Sequence, residues 1–345
     1  MSWKALLRPA LAGLKAYAPE PQGGEAALDA NESPYAPPAG FLDGLEGLKL
    51  NRYPDPDCAA LLEAASKHYG VARECLLPGN GSDELIALLL TAFGGEGKRC
   101  LVAAPTFSMY ALCAKAAGWE LLEEGLGERF ELTPAFIERA RREKPALIFL
   151  ASPNNPTGNA MQAGLVDELL TLDSLLVLDE AYAEFCPDLS RLGEAKENLV
   201  VLRTLSKGFG LAGLRMGFLA GSSGLVAELN KVRLPYNIDV IAQALATRAF
   251  GMASAFAVAR EKILADKPRL EAGLRALPGA EVFKSDANFF FFRHPSAKAL
   301  HAGLLERGLR IRRFSGGRLE NGLRISVGST AEVDRSLAAF KEFKP

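Results

Sequence analysis

Short apolar runs alternate with amphipathic stretches between residues 58 and 220. The runs are apolar at consecutive positions, which is typical of strands buried on both faces of a sheet. Candidate strands cover residues 100–104, 146–151, 175–178, 199–202 and 216–220. Candidate helices cover residues 82–93, 108–117, 134–143 and 165–172. This alternation predicts an α/β fold with a doubly wound, mainly parallel sheet.

The pattern changes on either side of this region. Residues 1–40 are rich in Pro and Gly and predict an extended arm, with a short helix near residues 5–16. A long helical stretch at 240–267 predicts a bridge between domains. It is followed by a strand at 289–292, a helix at 297–306 and a strand at 323–327, which favours a smaller α+β domain. The predicted organisation is an arm with part of the small domain (1–40), a large domain (41–245) and a small C-terminal domain (246–345).

Composition excludes several classes of protein. Of 345 residues, 49% are hydrophobic and 23% charged, and the net charge is −1, so nothing favours a nucleic acid or an anionic membrane as partner. The longest apolar runs, such as residues 85–90, are too short to span a bilayer. The chain opens without a sustained apolar segment, so we expect no signal peptide.

Five scattered cysteines form no CxxC pair, which argues against a disulfide framework and a zinc site. A reducing cytoplasm is the simplest setting. The three histidines lie away from any motif, so neither a histidine-rich metal site nor a Ser-His-Asp hydrolase is expected.

The string Gly-Asn-Gly-Ser-Asp-Glu at 79–84 precedes an apolar run. Gly81 permits close backbone approach, and Ser82 or Asp83 could cap the following helix. Free N–H groups at a helix start form an anion site. A plain capped helix is the alternative interpretation.

The string Ser-Pro-Asn-Asn-Pro-Thr-Gly at 152–158 follows a predicted strand. Its prolines and glycine predict a tight turn that directs the Asn155 amide into a cleft. An ordinary turn would explain Pro156 and Gly158, but it does not require the whole string.

Two further motifs have charged residues just after predicted strands. Asp179 ends a buried strand in Asp-Glu-Ala-Tyr, where a carboxylate is costly unless a cation such as a protonated ring nitrogen pairs with it. Capping of the next helix is the alternative. Lys207 lies among glycines after another strand, and partial burial would make its amine more nucleophilic. Arg215 follows with a fork suited to phosphate. The alternative for Lys207 is a surface loop.

In this order, Asn-Pro-Thr-Gly, Asp-x-x-Tyr, Ser-Lys and Arg resemble the fold-type I pyridoxal phosphate (PLP) aminotransferases over essentially the whole chain. Other segments resemble the histidinol-phosphate aminotransferase subfamily (class II), with Ser33 a departure from its arm motif. These segments lie at residues 29–34, 52–56, 79–84, 234–238 and 323–328.

The resemblance implies PLP as cofactor and Lys207, Asp179 and Tyr182 as catalytic residues. Lys207 would hold PLP as a Schiff base and then move the substrate's α-proton. Asp179 would pair with the protonated pyridine nitrogen, while Asn155 and Tyr182 would bind the ring 3′-oxygen.

The same resemblance implies how the rest of PLP is held. The phosphate would be bound by Gly81, Ser82, Asp83, Ser206 and Arg215. Phe107, or else Tyr110, would cover the ring face. Tyr53 would reach the cofactor of a neighbouring subunit, so a homodimer is expected.

The implied reaction is transamination between L-histidinol phosphate and 2-oxoglutarate in histidine biosynthesis. Arg324 would clamp the glutamate carboxylate, with Asn155 beside it. Arg313 would bind the substrate phosphate, although Arg310 and Arg312 are neighbouring candidates and a solvated basic strand is an alternative. Tyr17, with Asn31, is a candidate for closing the arm over the substrate.

Two rivals stay open at the level of sequence, and a third is disfavoured. Threonine-phosphate decarboxylase resembles the same subfamily, and an aromatic amino acid aminotransferase shares the scaffold. A non-enzymatic regulator on this fold would need an added DNA-binding domain, for which the first motif at residue 29 leaves no room.

Overall fold

The computed structural model describes residues 6–8, 11, 14 and 25–344. The predicted short helix at 5–16 falls largely outside these residues. Tyr17, the arm residue expected at the substrate, falls outside them altogether.

A seven-stranded sheet forms the centre of the molecule. Its spatial order is β2 (Leu76–Asn80), β8 (Met216–Ala220), β7 (Leu199–Thr204), β6 (Leu175–Asp179), β5 (Leu147–Ala151), β3 (Arg99–Ala104) and β4 (Glu120–Gly125). Strands β3 to β7 are parallel to their neighbours in this group, whereas β8 is antiparallel to both β7 and β2. The predicted α/β class with a mainly parallel sheet is confirmed.

The continuous apolar runs arise because both faces of this sheet are covered. In β6, Leu176 and Leu178 pack into one apolar cluster and Val177 into another. Within the described residues the helices are α1 (Ala59–Tyr69), α2 (Gly81–Ala92), α3 (Ser108–Ala117), α4 (Pro134–Glu143), α5 (Ala163–Leu169), α6 (Ser223–Asn230), α7 (Val240–Gly251), α8 (Ala253–Ala276), α9 (Ala297–Glu306) and α10 (Thr330–Glu342).

The single helix predicted at 240–267 is wrong. The chain forms α7 and α8, which are bent by 77° at a break near Met252. The bend lets Phe250 and Phe256 enter the same apolar cluster, and Gly251 weakens a continuous helix at this point. Among the described residues, no single helix is long and apolar enough to cross a membrane. The bent pair α7 and α8 reaches that length and apolar composition only when the two helices are counted together.

A second, antiparallel sheet lies in the C-terminal part of the chain. Its order is β12 (Arg312–Arg313), β13 (Gly322–Ser326), β10 (Phe289–Arg293) and β9 (Glu281–Val282). The arm joins this region, because β1 (Ala26–Ala27) pairs in parallel with β11 (Leu309–Arg310). The predicted domain boundaries at 40 and 245 stay predictions.

Candidate active site

A cavity of about 380 Å³ opens at the carboxyl ends of β5, β6 and β7, where parallel sheets bind ligands. Ala151, Asp179 and Thr204 end these three strands, and all three line it. The residues named as candidates from the sequence that also line it are Asn31, Gly81, Ser82, Asp83, Phe107, Tyr110, Asn155, Tyr182, Ser206, Lys207, Arg215, Arg312 and Arg324. Four separate sequence motifs therefore meet at one place.

Lys207 lies three residues beyond β7, and its Nζ donates a hydrogen bond to the Ala30 carbonyl oxygen at 2.7 Å. Burial, together with the nearby Arg324 guanidinium, lowers the pKa of Lys207 to about 8. About a tenth of the amine is therefore neutral at pH 7, far more than for an ordinary lysine, and the neutral form is the one that attacks an aldehyde.

Asp179 is 5% exposed at the end of β6. Burial raises the pKa of its carboxyl to about 6, while hydrogen bonds from the Tyr110 hydroxyl (2.7 Å) and the Ala181 N–H (3.0 Å) act in the opposite direction. Within the described residues it has no salt-bridge partner. A cationic ring nitrogen in the cavity would supply the missing counter-charge.

The part of the cavity wall formed by the start of α2 is suited to an anion. Helix α2 begins at Gly81, and its first N–H groups have no partner within the helix. Ser82 and Asp83 do not cap this helix as expected, because they lie in its first turn and Asn80 occupies the cap position. Arg215 Nη2 donates to Asp83 Oδ2 at 3.2 Å beside them.

The backbone conformation at the start of α2 favours glycine at position 81. Its φ is +71°, and a Cβ there would lie 2.8 Å from Arg215 Nη2. A side chain would therefore push the guanidinium away from the start of α2.

Asn155 and Tyr182 face the cavity from the loops after β5 and β6. Asn155 Oδ1 accepts a hydrogen bond from Arg324, which also donates to the Asp29 carbonyl oxygen. The Tyr182 hydroxyl accepts one from Asn31 Nδ2 at 2.9 Å. The arm residues 29–31 thus contact the cavity directly, which the sequence did not reveal beyond the Asn31 candidate.

Both aromatic candidates for the ring face, Phe107 and Tyr110, line the cavity. Tyr110 is fully buried, lies edge-on to Phe107 at 5.6 Å between ring centroids, and donates to Asp179. Its role beside the carboxylate was missed because nothing in the sequence connects the two motifs.

The structure separates the arginines considered for the substrate phosphate, and the assignment to Arg313 stays a prediction. Arg313 is exposed and does not line the cavity, whereas Arg312 does. The two residues form β12, where successive side chains point to opposite faces. Arg310 pairs with the arm, since its Nε donates a hydrogen bond to Asp29 Oδ1 at 2.9 Å.

Tyr53 also lies outside the cavity of its own chain. Its side chain is 81% exposed and stacks on Tyr236 with ring centroids 4.6 Å apart. Leu50 and Leu234, each 70% exposed, belong to the same two segments.

The donor set of the cavity fits PLP. It offers one amine with a lowered pKa for an aldehyde, one buried carboxylate for a pyridinium, and a helix start beside the Arg215 guanidinium for a phosphate. No group of three His, Cys, Asp or Glu side chains suited to a metal ion is found in the part of the chain that the structure describes.

Known proteins agree with this geometry. A histidinol-phosphate aminotransferase from Methylibium petroleiphilum is 40% identical over 349 residues, covering 97% of this chain and 94% of the relative. The crystal structure of histidinol-phosphate aminotransferase from Sinorhizobium meliloti in complex with pyridoxal-5′-phosphate is 25% identical, with a TM-score of 0.89, and covers 97% of this chain and 96% of its own.

A second solved structure bears on the decarboxylase alternative. L-threonine-O-3-phosphate decarboxylase from Porphyromonas gingivalis is 24% identical with a TM-score of 0.74, covering 87% of this chain and 92% of its own, which shows a shared fold. Residues 26–340 match the family described as aminotransferase class I and II. With nine-tenths of its length matched, the chain belongs to the class I and II aminotransferases.

Proposed function

We propose that this aminotransferase transfers the amino group of L-histidinol phosphate to 2-oxoglutarate, giving imidazole acetol phosphate and L-glutamate, with PLP bound to Lys207. The observation that carries the proposal is one cavity holding the Lys207 amine, the buried Asp179 carboxylate and two further arginines, Arg312 and Arg324. The full-length similarity to histidinol-phosphate aminotransferases supports this substrate over its rivals.

PLP, when bound, supplies an electron sink that stabilises negative charge developing at the substrate α-carbon. Asp179 would keep the ring nitrogen protonated, and the Tyr182 hydroxyl and Asn155 amide would bind the ring oxygen. Ser206, Arg215 and the N–H groups of the 81–83 segment would hold the phosphate. Phe107 would cover the ring and exclude water from its face.

Lys207 Nζ is the base of the proposed reaction. It would hold PLP covalently in the resting enzyme, and as a free amine it would serve as the base towards the substrate α-proton. Because the pKa of this amine is about 8, it could accept that proton and later return it near neutral pH. The Ala30 carbonyl, 2.7 Å from Nζ, orients the amine towards the cavity.

The two substrates are proposed to use different arginines. Arg324 is held by Asn155 and the Asp29 carbonyl with its guanidinium at the cavity wall, where it suits the carboxylate of glutamate or 2-oxoglutarate. Arg312 takes the place expected for Arg313 and suits the phosphate of histidinol phosphate. Both substrates can then share one amine-binding position at Lys207.

A homodimer completes the proposal. Tyr53 does not line the cavity of its own chain and is proposed to contact the cofactor phosphate bound by a second copy. The exposed Leu50 and Leu234 beside the Tyr53–Tyr236 stack supply apolar surface for that contact. We place the enzyme in the cytoplasm, in keeping with its five free thiols.

The reaction is tested by incubating the holoenzyme with histidinol phosphate and 2-oxoglutarate and measuring glutamate. Threonine phosphate and aromatic amino acids are assayed in parallel as donors. Release of CO2 from threonine phosphate without glutamate from histidinol phosphate would move the assignment to a decarboxylase. Faster turnover of phenylalanine or tyrosine would move it to an aromatic aminotransferase.

The attachment point is tested by borohydride reduction of the holoenzyme followed by peptide mapping. The pyridoxyl group is expected on Lys207, and Lys207→Ala should lose the absorbance of the bound cofactor. Label on any other lysine contradicts the proposal.

The dimer is tested by light scattering and by mixing two inactive variants, Lys207→Ala and Tyr53→Ala. If Tyr53 serves the partner's site, a hybrid dimer contains one site with both native residues, so activity returns on mixing. No return of activity, despite hybrid formation, would place Tyr53 outside the partner's site.

A further inference from the structure

A buried cluster of charges lies behind the cavity and takes no part in the proposed chemistry. It consists of Arg203, Glu180 and Glu184, whose side chains are 9%, 1% and 6% exposed. Arg203 Nη1 donates to Glu180 Oε2 at 3.2 Å, and Nη2 donates to Glu184 Oε1 at 2.6 Å. None of these three residues, which we call the back cluster, lines the cavity.

Each member of the back cluster is a close chain neighbour of a cavity residue. Glu180 follows Asp179, and Glu184 follows Tyr182 by two residues. Arg203 is the penultimate residue of β7, four residues before Lys207. Arg203 and the cavity residue Thr204 are consecutive in β7, so their side chains point to opposite faces of the sheet.

The cluster also contacts the loop that carries Lys207. A Cβ on Gly208 would lie 2.4 Å from the Cβ and 2.5 Å from the Cγ of Glu184. The Glu184 side chain therefore packs directly on the backbone next to Lys207. Only glycine at 208 leaves room for this contact.

A gain in folding stability does not by itself explain why these three charged side chains are buried together. Burying an ion pair costs desolvation energy, and apolar residues of the same volume are often as stable or more so. Here two carboxylates share one arginine, and burial raises the pKa of Glu180. Ser190 Oγ and the Arg191 N–H each donate to Glu180 at 2.6 Å, which fixes its orientation. Directional bonds of this kind favour one geometry over alternatives.

We propose that the back cluster is a positioning element: Arg203 ties the ends of β6 and β7 together through Glu180 and Glu184, and so keeps the Lys207 amine in register with Asp179 and Tyr182. The inference rests on the proposed function only in taking Lys207 as the residue that carries PLP. It does not depend on which amino donor is used.

The test uses Glu184→Gln, which keeps the side-chain volume over Gly208 and removes the charge. The matched control is Asp266→Asn in α8, another buried carboxylate, which is paired with Arg269 and with Thr330 Oγ1 at 2.6 Å and does not line the cavity. Three measurements are compared: hydrogen exchange of residues 203–210 in the apoprotein, the absorbance spectrum of the holoenzyme, and kcat with KM.

Glu184→Gln is expected to speed exchange in residues 203–210, to alter the spectrum of bound PLP, and to lower kcat roughly tenfold with KM little changed, because small misplacements of a reacting group are costly. Asp266→Asn should lower stability and change none of the three. Gly208→Ala, which forces Glu184 away, should reproduce the Glu184→Gln effects, and it serves if that variant does not fold.

Wild-type values for exchange, spectrum and kcat in both Glu184→Gln and Gly208→Ala would overturn the inference. The exchange and spectral measurements need no substrate. A wild-type enzyme that fails to turn over histidinol phosphate would therefore sink the proposed reaction, while the changes in exchange and spectrum would still support the positioning role.

Discussion

Replacing Asp179 by Asn should make the apoprotein more stable and the enzyme much less active. The ionised carboxylate is buried at the end of β6 without a cation beside it among the described residues. Its pKa is raised from 3.8 to about 6 by that burial. Folding therefore disfavours the ionised form of Asp179, which is the form that the proposed cofactor requires.

The rise in pKa corresponds to about 3 kcal/mol of free energy of unfolding lost at pH 7, at about 1.4 kcal/mol per pKa unit. Asn can keep both hydrogen bonds, because its oxygen accepts from the Ala181 N–H and its amide donates to the Tyr110 hydroxyl. Losing the charge assistance of these bonds costs about 1 kcal/mol. The expected net gain for Asp179→Asn is about 2 kcal/mol at pH 7.

The sign of the pH dependence follows from the raised pKa. A carboxyl with a raised folded pKa contributes its full stability below about pH 4 and loses it as the pH rises through about 6. The advantage of Asp179→Asn should therefore be present at pH 7 and absent at pH 4. Urea unfolding of both apoproteins at the two pH values measures this difference.

Activity should move in the opposite direction. Without a carboxylate to keep the ring nitrogen protonated, the Asp179→Asn holoenzyme should lose roughly 10²–10³-fold in kcat. Asp266→Asn is the control, because its carboxylate has cationic and hydroxyl partners and its loss should destabilise the protein. An Asp179→Asn apoprotein that is less stable than wild type at pH 7, or one with wild-type kcat, would refute the reasoning.

Three further predictions concern the cations of the cavity. Attachment of PLP to the apoprotein should become faster as the pH rises through about 8, because the neutral form of the Lys207 amine attacks the aldehyde. Stopped-flow absorbance measures the rate of attachment, and a rate that does not change with pH contradicts the prediction. Arg324→Lys should raise the KM for 2-oxoglutarate roughly 10–100-fold and affect histidinol phosphate much less, since a planar fork is lost; steady-state kinetics with each substrate varied will tell. Arg312→Gln should raise the KM for histidinol phosphate roughly tenfold, whereas Arg313→Gln should stay near wild type, and equal effects would restore Arg313 as the candidate.

The sequence predicted the strands that are buried on both faces and the motifs that follow them. A short, continuous apolar run favours a strand buried on both faces, and the carboxyl ends of parallel strands lie at the same edge of a sheet. The edge strand β4 was missed because its sequence, Glu-Leu-Leu-Glu-Glu-Gly, has too few apolar residues. Strand β2 was missed because Pro78 and Gly79 are typical of turns.

Contacts between distant segments could not be predicted in the same way. The choice of Arg312 over Arg313 depends on the register of β12 against β13, which a shift of one residue would reverse. The bond from Tyr110 to Asp179 joins two motifs 69 residues apart, and neither contains a signal for the other. Local pattern determines which residues form an element, whereas these contacts follow from how the elements pack.

The parallel pairing of β1 with β11 has a consequence for synthesis of the chain. Ala26 and Ala27 leave the ribosome about 280 residues before Leu309 and Arg310, which is roughly 15 to 60 s at 5–20 residues per second. The arm of the nascent chain therefore has no strand partner while the strands of the large sheet are synthesised. Since residues 29–31 contact Lys207, Tyr182 and Arg324, a nascent chain can complete its sheet but not its cavity until nearly the last residues have emerged.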